Sequence, residues 1–140
     1  MEHIGPHPVR VRAKTAHSHP SVAFRYGDEL AYCTDTAYDP GNVDIAASVS
    51  LLVHEAWVTG EKGTAFHSSG TEAARIARDA EVGHLAIVHL DPRQDHALLL
   101  AEAKAVFADC DLGIDGWTIK MRHGQDIRER TPPQRPASAG

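Results

Sequence analysis

Cysteine is scarce in this chain, with only Cys33 and Cys110 in 140 residues. No C-x-x-C pair occurs, so neither a zinc knuckle nor a dithiol redox motif is available. Both thiols are expected to be buried rather than joined. Positive charge is also short. Fourteen Lys and Arg against nineteen Asp and Glu leave a formal net charge of -5. That excludes a broad nucleic-acid-binding face, although it leaves room for a local basic groove. No apolar run approaches the roughly 20 residues that span a bilayer. The opening Met1-Glu2-His3-Ile4-Gly5-Pro6-His7-Pro8 has no signal-peptide pattern, so a cytoplasmic location follows by default. The G-x-S-x-G elbow of serine hydrolases is missing, and there is no internal repeat.

What is present fits one soluble globular domain of 42% hydrophobic and 24% charged residues. Ten histidines are many for this length and point by composition toward metal chemistry. Many of them could equally be exposed polar residues.

Val9-Arg10-Val11-Arg12-Ala13-Lys14 alternates apolar and basic residues, the period of a half-buried strand. Ser21 to Tyr26 reads as a second strand. Gly27-Asp28 is a hairpin turn, and Glu29 to Thr34 returns antiparallel. A short helix is expected over Val43 to Ala47. Leu51-Leu52-Val53-His54 suits a strand buried on both faces. Ser69 and Glu72 match a capping box, with Ala73, Ile76, Ala77 and Ala80 at helical spacing and Gly83 expected to end the helix. His84 to His89 is another buried strand. Asp95 caps a helix from His96 to Phe107, and Gly116 to Met121 is expected as the last strand. The second half therefore has a βαβ rhythm with a right-handed crossover. Residues 1–127 form the domain, and 128–140, rich in proline and small residues, are expected to be a disordered tail.

Histidines and aspartates recur where these strands end: Asp35, His54-Glu55 and His89, with His67 opening the loop into the Ser69 helix. Delivering ligands from strand ends onto one rim is how an α/β scaffold builds a metal site. The competing reading of each residue alone is a strand-end cap or a partly buried polar group.

Four stretches in this order resemble the ribonuclease Z-like branch of the metallo-β-lactamase-fold, metal-dependent hydrolases, over most of residues 9 to 122. His17-Ser18-His19-Pro20-Ser21-Val22-Ala23-Phe24-Arg25 resembles the family's third-histidine segment. Cys33-Thr34-Asp35-Thr36 resembles its S-G-D-T strand end. Val53-His54-Glu55-Ala56 with Phe66-His67-Ser68-Ser69 resembles its H-E-A-T and H-S-T loops. Ile87-Val88-His89-Leu90-Asp91-Pro92-Arg93 resembles its T-H-x-x-x-R strand end. The resemblance implies the C-terminal half of an αββα sandwich, an α/β (α+β) mixed sheet with helices on one face.

It further implies Asp35 bridging two zinc ions (with manganese as the alternative), His89 on the second metal and His17 on the first. His19 is the rival to His17, and register against Pro20 and Arg25 favours His17. Glu55 and His67 would be the proton-transfer pair, since a carboxylate fixes an imidazole's tautomer and raises its basicity. His54 should point the opposite way and be structural. Arg93 would hold a phosphate oxygen through its planar fork, or else be a solvated surface arginine. Ser68 and Ser69 are read as helix caps.

The family's H-x-H-x-D-H cluster is absent, Cys33-Thr34 replaces Ser-Gly before Asp35, and Trp57 stands where Thr is frequent. No long basic arm for clamping tRNA is evident. Half of the sandwich would leave one sheet face exposed. Two classes of function follow. One is a zinc phosphodiesterase of tRNA, cyclic nucleotide or another diester, completed as a homodimer or by a missing N-terminal half. The other is a truncated, non-catalytic remnant or binding module. A mononuclear site from His17, Asp35 and His89 is a third arrangement.

Overall fold

The computed structural model describes residues 2–122 and 125–131. Strands β1 (Glu2–Ile4), β2 (His7–Lys14), β3 (Ser21–Tyr26) and β4 (Leu30–Cys33) run antiparallel in sequence order. The hairpin expected at Gly27-Asp28 joins β3 to β4, and Gly27 adopts φ +53°, which glycine takes without steric cost. From β4 the sheet becomes parallel, through β5 (Leu51–Glu55), β6 (His84–Val88) and β7 (Cys110–Leu112). Helices α1 (Gly41–Ala46), α2 (Gly70–Asp79) and α3 (His96–Val106) make the three crossovers. Because the seven strands lie in the order β1 to β7, successive right-handed crossovers put all three helices on one face.

Strand alternation divides the sheet into two surfaces. On the helix side, Ala23, Ala31, Cys33, Leu52, Leu85 and Ile87 form one core with Ile45, Ala73, Ile76, Ala77, Leu99 and Ala103. Burial pushes the thiols of Cys33 and Cys110 up to about 12 and about 11, so both stay protonated and unbridged. The opposite side carries Val9, Val11, Val22, Phe24, Tyr32 and Val53 by cross-strand register. Phe24 stacks on Tyr32 there with ring centroids 5.2 Å apart, while Val11 and Val22 are 60% and 51% exposed. The uncovered apolar face expected of half a sandwich is therefore present. Among the described residues, the 113–119 segment approaches its β5–β7 end and lines an open cleft of about 480 Å³ with Trp117, Ile119, Val53 and Val88.

The alternation in β2 has the opposite sense to an ordinary half-buried strand. Its basic residues face the helices. Arg12 grips Asp39 through two bonds of 2.7 and 3.1 Å, and buried Lys14 reaches the Thr34 and Asp35 carbonyls. The small Ala23 and Ala31 side chains nearby leave room for these long stems, which bury methylenes and keep their charged ends paired.

Helix α2 starts with the expected capping box. Ser69 Oγ accepts from the Glu72 amide at 3.2 Å, and Glu72 Oε2 accepts from the Ser69 amide at 3.1 Å. Asp95 caps α3 by accepting from the Ala97 and Leu98 amides. Gly83, however, does not end α2. The helix closes at Ala80, and Glu81 takes the left-handed conformation at φ +53°. Gly83 instead packs against the Ser50 carbonyl, 2.8 Å from where a Cβ would lie. The sheet's last strand is the three-residue β7, too short for a periodic signal. The strand expected at Gly116 to Met121 is β8 (Thr118–Arg122), which pairs with β9 (Gln125–Thr131) in a separate two-stranded sheet. Of the tail expected from residue 128, positions up to Thr131 lie in β9 and 132–140 fall outside the described residues.

Candidate active site

The carboxyl ends of β4, β5 and β6 open onto one edge, where ligand sites gather in parallel α/β sheets. Each contributes one residue. Asp35 follows β4, Glu55 ends β5, and His89 follows β6. His89 has φ +57°, a conformation uncommon for a side-chain-bearing residue and found most often at turns and functional positions. Its Nε2 lies 3.5 Å from Asp35 Oδ1.

The loop before α2 adds His67. Its Nδ1 is 3.1 Å from both oxygens of Glu55. The Glu55 carboxylate is fully buried, and Oε1 also accepts a short hydrogen bond from the Thr36 amide. Burial pushes Glu55 up to about 7, against the lowering effects of the Thr36 amide and of His89. With Nδ1 held by Glu55, Nε2 of His67 is left for chemistry.

His17 reaches the same place from the loop after β2. Its ring centroid is 5.4 Å from that of His67 in an edge-on contact. The His19 amide donates to His17 Nδ1 at 3.3 Å, while His19 Nδ1 pairs with Ser18 Oγ. Of the two rival rings, His17 is the one against His67. Trp57 completes the group, stacking on His67 at 5.1 Å and tilting over His89 at 4.8 Å.

His17, Asp35, Glu55, His67 and His89 are therefore brought together. Arg93 stands apart. Its fork is engaged by Asp91 through Nε and Nη2, each at 2.9 Å, and its side chain is 81% exposed. His54 turns into the helix layer, fully buried, with Nδ1 donating to the Glu55 carbonyl at 2.8 Å and Nε2 accepting from Asn42. Burial pulls it down to about 4, so the ring is neutral and structural. Ser69 caps α2, and buried Ser68 donates to the Thr36 carbonyl at 2.9 Å.

Three positioning residues were given no role by the sequence, although Ser21 and Thr36 lie within the resembling stretches. Lys14 and Ser21 donate to the Asp35 carbonyl at 3.3 and 3.2 Å, and the Thr36 amide orients Glu55. They act on or through backbone groups, so only the inward placement of Lys14 could have suggested its role.

Among the described residues, no group of three or more His, Cys, Asp or Glu is arranged to hold a metal ion. Asp35 and His89 offer two facing donors, whereas a hydrolytic zinc takes three protein ligands. The described side chains do not by themselves fit a complete metal centre.

No family model matches the chain. It is 36% identical over 112 residues to ribonuclease Z of Microcystis aeruginosa, covering 72% of this chain and 35% of that protein. It is also 36% identical over 109 residues to ribonuclease Z of Bacteroides thetaiotaomicron, covering 74% of this chain and 34% of that one. The chain thus spans about a third of the length of the curated relatives it matches. Among solved structures, it is similar to the metallo-β-lactamase fold protein YhfI from Bacillus subtilis. The TM-score is 0.72 at 28% identity, over 79% of this chain and 48% of that one. The human tRNase Z short form, at TM-score 0.56 and 19% identity over 82% of this chain and 43% of that one, shares the fold. No helix among the described residues is long and apolar enough to cross a membrane. The mixed seven-stranded sheet and these likenesses make the chain a homologue of part of ribonuclease Z, within the metallo-β-lactamase fold.

Proposed function

We propose that this chain supplies the proton-transfer pair and part of the metal donor set of a ribonuclease Z-like phosphodiesterase in the cytoplasm. The observation that carries this reading is the Glu55 carboxylate, with both oxygens 3.1 Å from His67 Nδ1, set among His17, Asp35 and His89. Glu55 fixes the proton on Nδ1 and stabilises the imidazolium. His67 then delivers a proton from Nε2 to the departing oxygen, a contribution of about 10²–10⁴ in rate. Trp57 keeps bulk water from one flank of the ring.

Asp35, His89 and His17 are proposed as donors toward zinc or manganese. The remaining donors come from outside these residues, and no step above runs through the metal. Arg93 is proposed as a phosphate contact that exchanges Asp91 for substrate. The open sheet face is proposed to be covered by a second copy or by a further half of the same fold. RNA, including tRNA, is the substrate class that the ribonuclease Z likeness supports, with cyclic nucleotides as the alternative.

That no three described side chains are arranged to hold a metal favours a second reading, a non-catalytic remnant or binding module. Native mass spectrometry of the chain with added zinc separates the two, followed by turnover of a nitrophenyl phosphodiester. The hydrolase reading expects bound zinc that is lost in Asp35→Ala and His89→Ala, with turnover that falls in Glu55→Gln. Absence of both zinc and turnover would leave only the remnant.

A further inference from the structure

We propose that Phe66 is a stacking platform for the base of a single-stranded nucleotide beside the scissile phosphodiester, an inference that rests on the phosphodiesterase reading above. Phe66 is 48% exposed, so part of its ring is open to a partner, and an aromatic face is what a base stacks on. It does not belong to the open sheet face. It stands at the rim of the site, immediately before His67.

The ring is held there by a tied turn rather than a loose loop. Thr64 Oγ1 accepts from the amides of Phe66 and His67 at 3.2 and 3.0 Å. The Thr64 amide donates to the His67 carbonyl at 2.7 Å. The turn is fastened to the first turn of α2 by the Gly63 amide, which donates to Glu72 Oε2 at 2.8 Å. His17 meets the Phe66 ring edge-on at 6.3 Å, which leaves the Phe66 turn supported from the site side.

Charge makes a base contact the natural source of affinity. The chain carries a formal charge of -5, and the site opens with the part-exposed carboxylate of Asp35, which repels phosphate. A backbone-tracking basic groove is the ordinary alternative, yet Arg93 stands apart from this rim and its fork is engaged by Asp91. Stacking on an aromatic face works with any base that is free of its own helix. A single-stranded end or loop therefore fits the platform, and a duplex does not.

The test compares two probes on the full chain, a short single-stranded oligoadenylate and an abasic ribose-phosphate strand of the same length. Binding is followed by fluorescence anisotropy. The expected result is tighter binding of oligoadenylate by about 5- to 100-fold. That preference should collapse in Phe66→Leu and survive in Phe66→Tyr, with circular dichroism showing all three folded. A preference that persists in Phe66→Leu overturns the proposal, as does a variant that weakens both probes equally. Equal binding of both probes by the unmodified chain removes the stacking role and leaves the phosphodiester reading standing. Binding of neither probe overturns both.

Discussion

Both carboxylate oxygens of Glu55 lie 3.1 Å from Nδ1 of His67, so the imidazole is held symmetrically by an acid with no water contact of its own. Two groups that act as one unit are not additive when removed. In diester turnover, Glu55→Gln, His67→Asn and the double variant should lose activity by similar factors, on the order of 10²–10⁴. A double variant that multiplies the two single losses would show that the residues act separately.

Adjacent residues His54 and Glu55 titrate in opposition. The His54 ring, ordinarily protonated below 6.5, stays neutral in the folded chain down to about 4. Its unfolded form takes up the proton first, so stability is present above pH 6.5 and is lost as pH falls toward 4. Glu55 ionises from 4.5 when unfolded but only near 7 when buried. Its penalty is absent below pH 4.5 and grows as pH rises to 7. Each effect is worth roughly 3 kcal/mol, so they nearly cancel in the parent chain. Relative to the parent, Glu55→Gln should lose stability toward acid, and His54→Asn should lose it toward neutral pH. Urea unfolding at pH 4.5, 5.5 and 6.5 checks the crossing slopes; parallel slopes would refute the opposition.

Lys14 is buried beneath the Asp35 loop, where burial pulls its amine below the ordinary lysine range. Lys14→Met keeps the stem and removes the donor to the Thr34 and Asp35 carbonyls. A loss of roughly 1–3 kcal/mol in urea unfolding is expected. Unchanged stability would mean that water replaces the ammonium.

Gly70 opens α2 against α3. A Cβ there would lie 2.9 Å from both the Leu99 carbonyl oxygen and Cδ2. Gly70→Ala should therefore destabilise by roughly 1–3 kcal/mol, despite alanine's better helix propensity. A gain in thermal midpoint would show that the two helices can part at little cost.

The open sheet face predicts self-association that can be separated from folding. Val11→Lys with Val22→Lys should lower the sedimentation coefficient at high concentration while changing the unfolding free energy by no more than about 0.5 kcal/mol per site. Both side chains are already exposed. Identical sedimentation before and after substitution would show that this face does not bind a second copy.

The elements written by periodicity were legible in the sequence. Ser21–Tyr26, the capping box at Ser69–Glu72 and the Asp95 cap all stand where alternation and capping chemistry place them. β1 and β7 were not, because three residues carry no period. The end of α2 was misread because Glu81, not glycine, takes the left-handed position, while Gly83 answers a contact with Ser50 that is distant in sequence. That Asp35, Glu55, His67 and His89 would gather at one edge was legible because each stands at a strand end or opens the loop into α2, and the chemistry they carry there is the proposal above. Lys14, Ser21 and Thr36 were not, because they work on or through carbonyls and amides that every residue possesses.

Strand β2 carries one further consequence. Shifting its pairing with β3 by one residue would exchange its two sides, turning Val9 and Val11 toward the helices and throwing Arg12 and Lys14 outward. Judged by oiliness alone, the slipped strand is the better one. It is forbidden because Asp39 and the carbonyls of Thr34 and Asp35 wait on the inner side for cations that would no longer arrive. The register of this strand is proofread by charge, and a residue whose backbone completes the check is Asp35, at the mouth of the site.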